Sequence, residues 1–258
     1  MIPFHDENET QRTPVVTLAL IAGCVLAWMG VQGAGSGMPF LESVCNLGLI
    51  PGELLSTAPV GAGFEIAKGV SCVTDPGSSI LTVFTSMFMH GSWMHLIGNM
   101  WFLWLFGNNI EDSMSRPRFV VFYLVCGVAA ALGQVYAEPD SIIPMVGASG
   151  AISGVMGGYL VLYPRVRIFT LVPLGVVFTT MRLPAWVMLL YWTAIQVFGG
   201  FASAYSPEGG GVAFWAHLGG FVAGVVLIKL FQRPEAVAQH RSHHYQPRRV
   251  GFSRSQWS

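Results

Sequence analysis

The feature that most constrains this 258-residue chain is a series of six apolar runs, separated by polar or glycine- and proline-rich segments. A helix needs roughly 20 apolar residues to cross the hydrocarbon core of a bilayer, with a lower limit near 17. Only 10% of the residues are charged, whereas a soluble domain usually has about 25%. We therefore expect an all-α, polytopic membrane protein that forms one six-helix bundle. The runs are residues 14–31, 93–107, 119–136, 149–163, 184–201 and 212–231.

Two apolar stretches depart from this simple pattern. The fourth run is short for a full crossing, which predicts a water-filled pit that opens from the outer side. The stretch 165–182 is also apolar, but Pro173 and Gly175 interrupt it. It is predicted to be an interfacial hairpin rather than a seventh span.

The distribution of basic residues predicts the orientation. With six spans, Lys68 is the only lysine or arginine on the side that holds the first loop. The positive-inside rule then places both termini in the cytoplasm. We expect a short cytoplasmic tail (1–13), a membrane domain (14–232) and a basic, disordered cytoplasmic tail (233–258). The net charge of zero argues against a nucleic-acid partner. The expected surroundings are the lipid bilayer, because of the apolar runs.

The segment 33–92 between the first two spans is predicted to be a structured loop, partly embedded in the outer leaflet. Its apolar patches are too short to span, and glycine and proline break it repeatedly. Cys45 and Cys72 both lie in this loop. Because the outer compartment is usually oxidising, a Cys45–Cys72 disulfide is one hypothesis, and two free thiols are the other.

A serine flanked by glycines stands at the head of the fourth run. Ser149 follows Gly147 and precedes Gly150, so its hydroxyl is sterically open and the backbone before it can turn freely. A helix N-terminus gathers unpaired N–H groups and the positive end of the dipole, which favour developing negative charge. The alternative is a small-residue packing motif, because Gly150, Gly154 and Gly158 are four residues apart.

Three polar residues on different runs reach a similar depth. At 1.5 Å per residue, His217 lies roughly 8 Å below the outer boundary, and Asn99 and Ser149 each lie about 9 Å below it. His95 lies one turn above Asn99 on the same helix face. Polar groups at such depth are costly unless they are used or paired. The agreement in depth therefore predicts one shared site.

The residue types at this depth fit hydrolysis by a serine. A neutral His217 would take the proton of the Ser149 hydroxyl. His95, Asn99 and the backbone N–H of Ser149 would donate hydrogen bonds to an oxyanion. No acidic residue of the six runs shares this depth, so the pattern predicts a Ser–His dyad without a carboxylate that orients the histidine. We expect neither a cofactor nor a metal at this site.

The motifs that carry these residues resemble the signature of the rhomboid family of intramembrane serine proteases. The resemblance implies a six-helix rhomboid fold in a multi-pass protein of the bacterial plasma membrane, which cleaves transmembrane segments of single-pass proteins near the outer face. It implies that Ser149 is the nucleophile, that His217 is the general base, and that Asn99 and His95 are the oxyanion-side residues. His90 matches a family histidine with a structural role, and the resemblance implies that span five moves to admit substrate. The motifs are Gly147-Ala-Ser-Gly150, Ala216-His-Leu-Gly-Gly220 and His95-Leu-Ile-Gly-Asn99.

Two positions depart from the family pattern. Leu81-Thr82 stand where many members have Trp-Arg in the first loop. Ser153 stands where relatives often place an aromatic residue against the catalytic histidine, which leaves open how His217 is held. Ser153 itself is one candidate acceptor for the His217 ring. Other polar and aromatic residues of span five are interpreted as packing and interfacial-belt residues: Gln196, Trp186, Tyr191 and Trp192.

Other classes of protein fit the sequence less well. A zinc enzyme would use His90, His95 and His217, but the chain has no His-Glu-x-x-His motif. A soluble-type hydrolase would have Gly-x-Ser-x-Gly, whose fifth position here is Ala151. A transporter would show repeated halves with broken helices and charged residues at the midplane. The serious rival is a non-catalytic rhomboid-like protein that binds transmembrane helices, although such proteins typically lack the serine or the histidine.

Overall fold

The computed structural model describes residues 1–75, 80–174, 177–204 and 212–244. It is mostly helical. In chain order the helices are α1 (Val15–Gly30), α2 (Gly37–Leu47), α3 (Pro51–Leu54), α4 (Thr82–Thr85), α5 (Trp93–Asp112), α6 (Arg116–Ala137), α7 (Ser149–Leu162), α8 (Ala185–Ala204), α9 (Phe214–Phe231) and α10 (Pro234–His244).

Within the described residues, three helices are long and apolar enough to cross a membrane, namely α6, α8 and α9. The other three predicted spans coincide with α1 and α7, which are apolar but shorter, and with α5. Helix α5 has 20 residues, but asparagines and two carboxylates near its end make it more polar. The count of six spans therefore stays a prediction.

Helix α7 lies at the centre of the bundle, and glycines allow its close packing against α9. A Cβ atom at Gly224 would overlap the carbonyl oxygen of Gly154, and one at Gly220 would overlap that of Gly150. Small residues at matching positions of two helices let the backbones approach this closely. This contact places the N-terminal ends of α7 and α9 side by side.

The chain also forms five described strands, so the all-α prediction is incomplete. Strands β1 (Ile2–Asp6), β4 (Arg167–Leu174) and β5 (Val177–Pro184) form an antiparallel sheet in the order β1-β4-β5, and β2 (Gly63–Ala67) pairs with β3 (Val70–Val73). The predicted hairpin at 165–182 is thus a β-hairpin. Ile168 and Thr170 are buried while Arg167 is exposed, which is the alternation of a half-buried strand. The end of the bundle that carries the three-stranded sheet is called the sheet end below.

Residues before α1 are tied to the bundle at the sheet end rather than forming a loose tail. Asp6 accepts hydrogen bonds from the Tyr159 hydroxyl and from the Asn109 amide, and all three side chains are buried. Arg12 forms a salt bridge with Asp112, whose N···O distance is 3.0 Å. These contacts join β1 and the following segment to α5 and α7.

The segment between α1 and α5 is anchored at several points. A disulfide joins Cys45 of α2 to Cys72 of β3, in agreement with the first of the two hypotheses. Leu49 pairs with Met145 in an isolated antiparallel bridge, which connects this segment to the chain before α7.

The sequence predicts a disordered C-terminal tail, but the first part of this tail is the helix α10. Just before this helix, the backbone N–H of Arg233 bonds to the carbonyl of Ser113 at 2.7 Å. Residues after His244 lie outside the described residues, as do residues 205–211.

Candidate active site

Ser149 is the first residue of α7, and the backbone before it makes an unusual turn. Gly147 has a φ of +131°, a conformation that residues with a side chain rarely adopt. Its N–H bonds to the carbonyl of Ser86 at 2.9 Å. A Cβ atom at this glycine would also lie 2.8 Å from the His95 ring, which explains why a glycine is needed. The turn delivers Ser149 to the helix N-terminus beside that histidine.

The Ser149 hydroxyl contacts the ring of His217. Oγ of Ser149 and Nε2 of His217 are 2.7 Å apart. His217 lies in the first turn of α9, and the side-chain oxygen of Gln134 on α6 accepts from the neighbouring Ala216 N–H at 3.3 Å. Helices α7 and α9 thus present the two groups face to face.

The other ring nitrogen of His217 contacts Gln196, for which the sequence predicts only a packing role. Nδ1 lies 2.7 Å from Oε1 of Gln196 on α8, and this glutamine is 8% exposed. An amide oxygen can only accept, so Nδ1 carries the hydrogen and Nε2 is left with a lone pair for Ser149. The ring of Trp192, one turn earlier on α8, lies 5.8 Å from the His217 ring, centroid to centroid. The signal for Gln196 was its polarity within an apolar helix.

His95 and Asn99 line the same cavity from α5. Nδ1 of His95 accepts from the Gly91 N–H at 3.2 Å, so a neutral ring carries its hydrogen on Nε2, the side that approaches Gly147. The side-chain amide of Asn99 donates to the His95 carbonyl at 2.8 Å. An amide group has a second N–H, so Asn99 keeps a donor beyond this bond.

The cavity that these residues share has a volume of about 570 Å³. Its wall includes Ser149, His217, His95 and Asn99, together with apolar side chains such as Met156 and Trp192. The structure therefore brings all four sequence-predicted site residues around one space. A cavity of this size has room for several water molecules beside the serine.

Ser153 does not hold the His217 ring. Its hydroxyl donates to the carbonyl of Ser149, one turn back along α7, at 2.6 Å. Serine hydroxyls commonly bond to the carbonyl four residues earlier in a helix. The position that the family often gives to an aromatic residue is therefore occupied by a locally satisfied serine.

His90 is fully buried behind the site. Gln32, two residues beyond the end of α1, bonds to it twice: its amide donates to the His90 carbonyl and its oxygen accepts from the His90 N–H, both at 2.8 Å. The rings of His90 and His95 are 5.2 Å apart. Burial, and next the nearby His95, lower the pKa of His90 to about 4. These contacts fit the structural role expected of this histidine.

A family profile described as Rhomboid domain matches residues 77–234, more than half of the chain. This chain belongs to the rhomboid family. The match includes all four site residues and excludes β1, α1 and the disulfide.

Individual rhomboid relatives are similar over parts of the chain. Rhomboid protein 1, mitochondrial, of Saccharomyces cerevisiae is 30% identical over 156 residues, which are 58% of this chain and 41% of the yeast protein. Rhomboid-like protease 5 of Toxoplasma gondii is 29% identical over 54% of this chain and 15% of its own length. Rhomboid protease GluP of Bacillus subtilis is 33% identical over 30% of this chain and 14% of its own length. The chain spans less than half the length of the curated relatives it matches.

The zinc-enzyme alternative requires a set of metal-ligating side chains close together in space. Groups of three or more His, Cys, Asp or Glu side chains that could hold a metal ion do not occur in the part of the chain that the structure describes. The three histidines considered for zinc include His95 and His217, which have different partners. His217 bonds to Ser149 and Gln196, and His95 bonds to Gly91.

Proposed function

We propose that this rhomboid-family protein is an intramembrane serine endopeptidase that cleaves transmembrane segments of other membrane proteins. The observation that carries the proposal is the 2.7 Å contact between Ser149 Oγ and His217 Nε2 at the wall of a cavity with room for water. A serine hydroxyl within hydrogen-bond reach of a base is the arrangement that nucleophilic catalysis requires.

In the first step, His217 acts as general base. Its Nε2 takes the proton of the Ser149 hydroxyl while Oγ attacks the scissile carbonyl carbon. The carbonyl π bond breaks, and the oxygen becomes an oxyanion. The protonated His217 then gives its proton to the leaving nitrogen, the C–N bond breaks, and an acyl-serine remains.

The oxyanion is stabilised by donors on α5 and α7. The backbone N–H of Ser149 lies at the start of α7, where N–H groups lack partners within the helix. His95 supplies an Nε2–H and Asn99 its second amide N–H from the opposite wall. Fixed donors of this kind stabilise the charge that develops in the transition state.

Water from the cavity completes the cycle. His217 takes a proton from this water as its oxygen attacks the acyl carbon, and the proton passes to Oγ when the ester bond breaks. The product acid leaves and Ser149 is regenerated.

The substrate proposed for this site is a single-pass transmembrane helix that unwinds locally near the site. A helix hides its carbonyl groups in backbone hydrogen bonds, so small or helix-breaking residues near the boundary favour cleavage. The asymmetry of basic residues supports a site near the outer face, with both termini cytoplasmic. A bacterial plasma membrane is the location that we propose for it.

The test is covalent labelling of the purified full chain by a fluorophosphonate probe, combined with cleavage of a panel of single-pass proteins. We expect labelling and fragments from the wild type, and neither from Ser149→Ala or His217→Ala. Ser43→Ala removes a buried serine of α2 that does not line the cavity, whose hydroxyl bonds to the Phe40 carbonyl, and leaves both signals intact. A correctly folded wild type that binds transmembrane segments but neither labels nor cuts would instead identify a non-catalytic rhomboid-like protein.

A further inference from the structure

Helix α8 contributes a contact to the His217 ring that no family motif in this sequence explains. The Nδ1–Oε1 distance to Gln196 is 2.7 Å, as short as the Ser149 contact on the other side of the ring. The imidazole is therefore held at both nitrogens, once by the nucleophile and once by α8.

We infer that Gln196 is the positioning residue for His217, and that it takes the place of the orienting carboxylate of a catalytic triad. This inference rests on the proposed function. Because its oxygen accepts the Nδ1 hydrogen, Gln196 fixes the tautomer whose Nε2 can receive the serine proton. It also fixes the angle of the ring, since a hydrogen bond weakens steeply when it bends.

The surroundings of Gln196 support a polar role over a packing role. It is 92% buried on a helix long and apolar enough to cross a membrane, where an unpartnered amide is costly. Among the described residues, the other side-chain hydrogen bonds of α8 stay within the helix: Thr193 bonds to the Leu189 carbonyl and Ser203 to the Gly200 carbonyl. Gln196 instead reaches across to α9.

The substitution of Ser153 for the family aromatic residue makes this contact more important. Ser153 bonds to the Ser149 carbonyl and leaves the ring without a partner from α7 other than the nucleophile. Trp192 lies against the ring at 5.8 Å and limits its rotation, but a ring contact does not select a tautomer. Selection of the tautomer therefore depends on the amide oxygen of Gln196.

Two substitutions of similar size separate positioning from packing. Gln196→Met keeps the volume and suits an apolar helix, but it removes the acceptor. Gln196→Glu keeps an acceptor at the same reach, although a carboxylate is less favourable in an apolar helix. If Gln196 positions His217, the glutamate variant is the more active of the two. If Gln196 only packs, the methionine variant is the more active of the two.

The experiment measures kcat, KM and the rate constant of fluorophosphonate labelling for the full chain in proteoliposomes. We expect Gln196→Met to lower kcat and the labelling rate about 10- to 100-fold with KM unchanged within about twofold. Gln196→Glu restores both to within several-fold of the wild type. Thr193→Val, one turn earlier on α8, is the matched control and leaves both near the wild-type value. Full activity of Gln196→Met, or an equal loss in Thr193→Val, would overturn the inference.

A measurement that does not depend on turnover distinguishes this inference from the proposed function. The ¹⁵N chemical shifts of the His217 ring, assigned by their loss in His217→Asn, report which nitrogen carries the hydrogen. We expect Nδ1 to be protonated and Nε2 unprotonated in the wild type, and a mixed state in Gln196→Met. A ring whose tautomer is the same in both proteins refutes the positioning role, whether or not the wild type cleaves a substrate.

Discussion

Nε2 of His217 lies 2.7 Å from Oγ of Ser149, although 68 residues separate the two in the chain. Their meeting depends on the contact between α7 and α9, where glycines let the backbones touch. The Gly220 and Gly224 positions of α9 each face a carbonyl of α7. The geometry of the proposed dyad is thus a property of helix packing.

Substitution at this contact is expected to separate the two groups. In Gly220→Ala, the new methyl group overlaps the Gly150 carbonyl, so α9 must shift. We expect thermal unfolding to show a loss of about 1–3 kcal/mol and fluorophosphonate labelling to slow markedly. Gly30→Ala, where nothing lies within 4 Å of the added methyl group, is the control and changes stability by less than about 1 kcal/mol. Equal effects in the two variants would contradict the packing argument.

Removal of a donor from the opposite wall is expected to slow the chemical step. Asn99→Ala deletes one proposed oxyanion donor, which typically costs about 10²–10³-fold in kcat. Because the lost bond forms only in the transition state, KM changes little. Steady-state cleavage of a transmembrane substrate measures both constants. An increase in KM with kcat unchanged would assign Asn99 to substrate binding instead.

The polar contacts of β1 are expected to stabilise the sheet end. Asp6→Ala leaves the buried Tyr159 hydroxyl and Asn109 amide without this acceptor, and each buried donor left unsatisfied costs roughly 1–3 kcal/mol. Chemical unfolding in a suitable detergent measures the loss. Glu7→Gln, beside it, weakens only an exposed pair with Arg182 and costs less than about 1 kcal/mol. A stability of Asp6→Ala as high as that of Glu7→Gln would show that the network contributes little.

The disulfide is expected to restrain the first loop. Cys45 and Cys72 are 27 residues apart, and closing a loop of this length is worth about 3–4 kcal/mol in the chain-entropy description. Non-reducing peptide mapping should recover the two peptides linked. Reduction, or Cys45→Ser with Cys72→Ser, should speed proteolysis within the loop. The buried free thiols Cys24 and Cys126 serve as internal controls, since they give the same peptides with and without reductant.

Acid is expected to weaken the fold through His90. Its pKa is lowered from 6.5 to about 4 by burial, so the folded protein keeps the ring neutral while the unfolded chain protonates it. The unfolded state therefore binds more protons between these values, and stability falls as the pH decreases from above 6.5 towards 4. Unfolding temperatures between pH 7.5 and pH 5, roughly the range around the ordinary histidine pKa, measure the slope. The slope is smaller in His90→Gln; an unchanged slope would exclude this histidine as its source.

The helical part of the site was accessible from the sequence because helix geometry is regular. A rise of 1.5 Å per residue and the ends of the apolar runs were enough to assign Ser149, His217 and Asn99 to one depth. The same three residues line one cavity in the structure. The glycines of α7 and α9 likewise indicated where two backbones could approach.

Other parts depended on contacts that a single sequence does not encode locally. Strand β1 pairs with β4 across more than 160 residues, and residues 2–6 alone are too short to signal a strand. The sequence predicts only a packing role for Gln196, because the residue that it contacts depends on the rotation of α8 about its own axis. Helix rotation follows from the packing of the whole bundle, and no periodicity within α8 reports it.

Strand β5 continues into α8 without an intervening loop, and the N–H groups of Ala185 and Trp186 bond to the carbonyls of Val166 and Pro164. These bonds anchor the N-terminal end of α8 to the sheet. Gln196 lies eleven residues beyond Ala185, roughly 16 Å along the axis, so a tilt of about 5° about that end displaces it by roughly 1.4 Å. That displacement is enough to break its bond to His217. A movement of the far end of α8 would therefore also release His217, the proposed general base, from its hydrogen bond to Gln196.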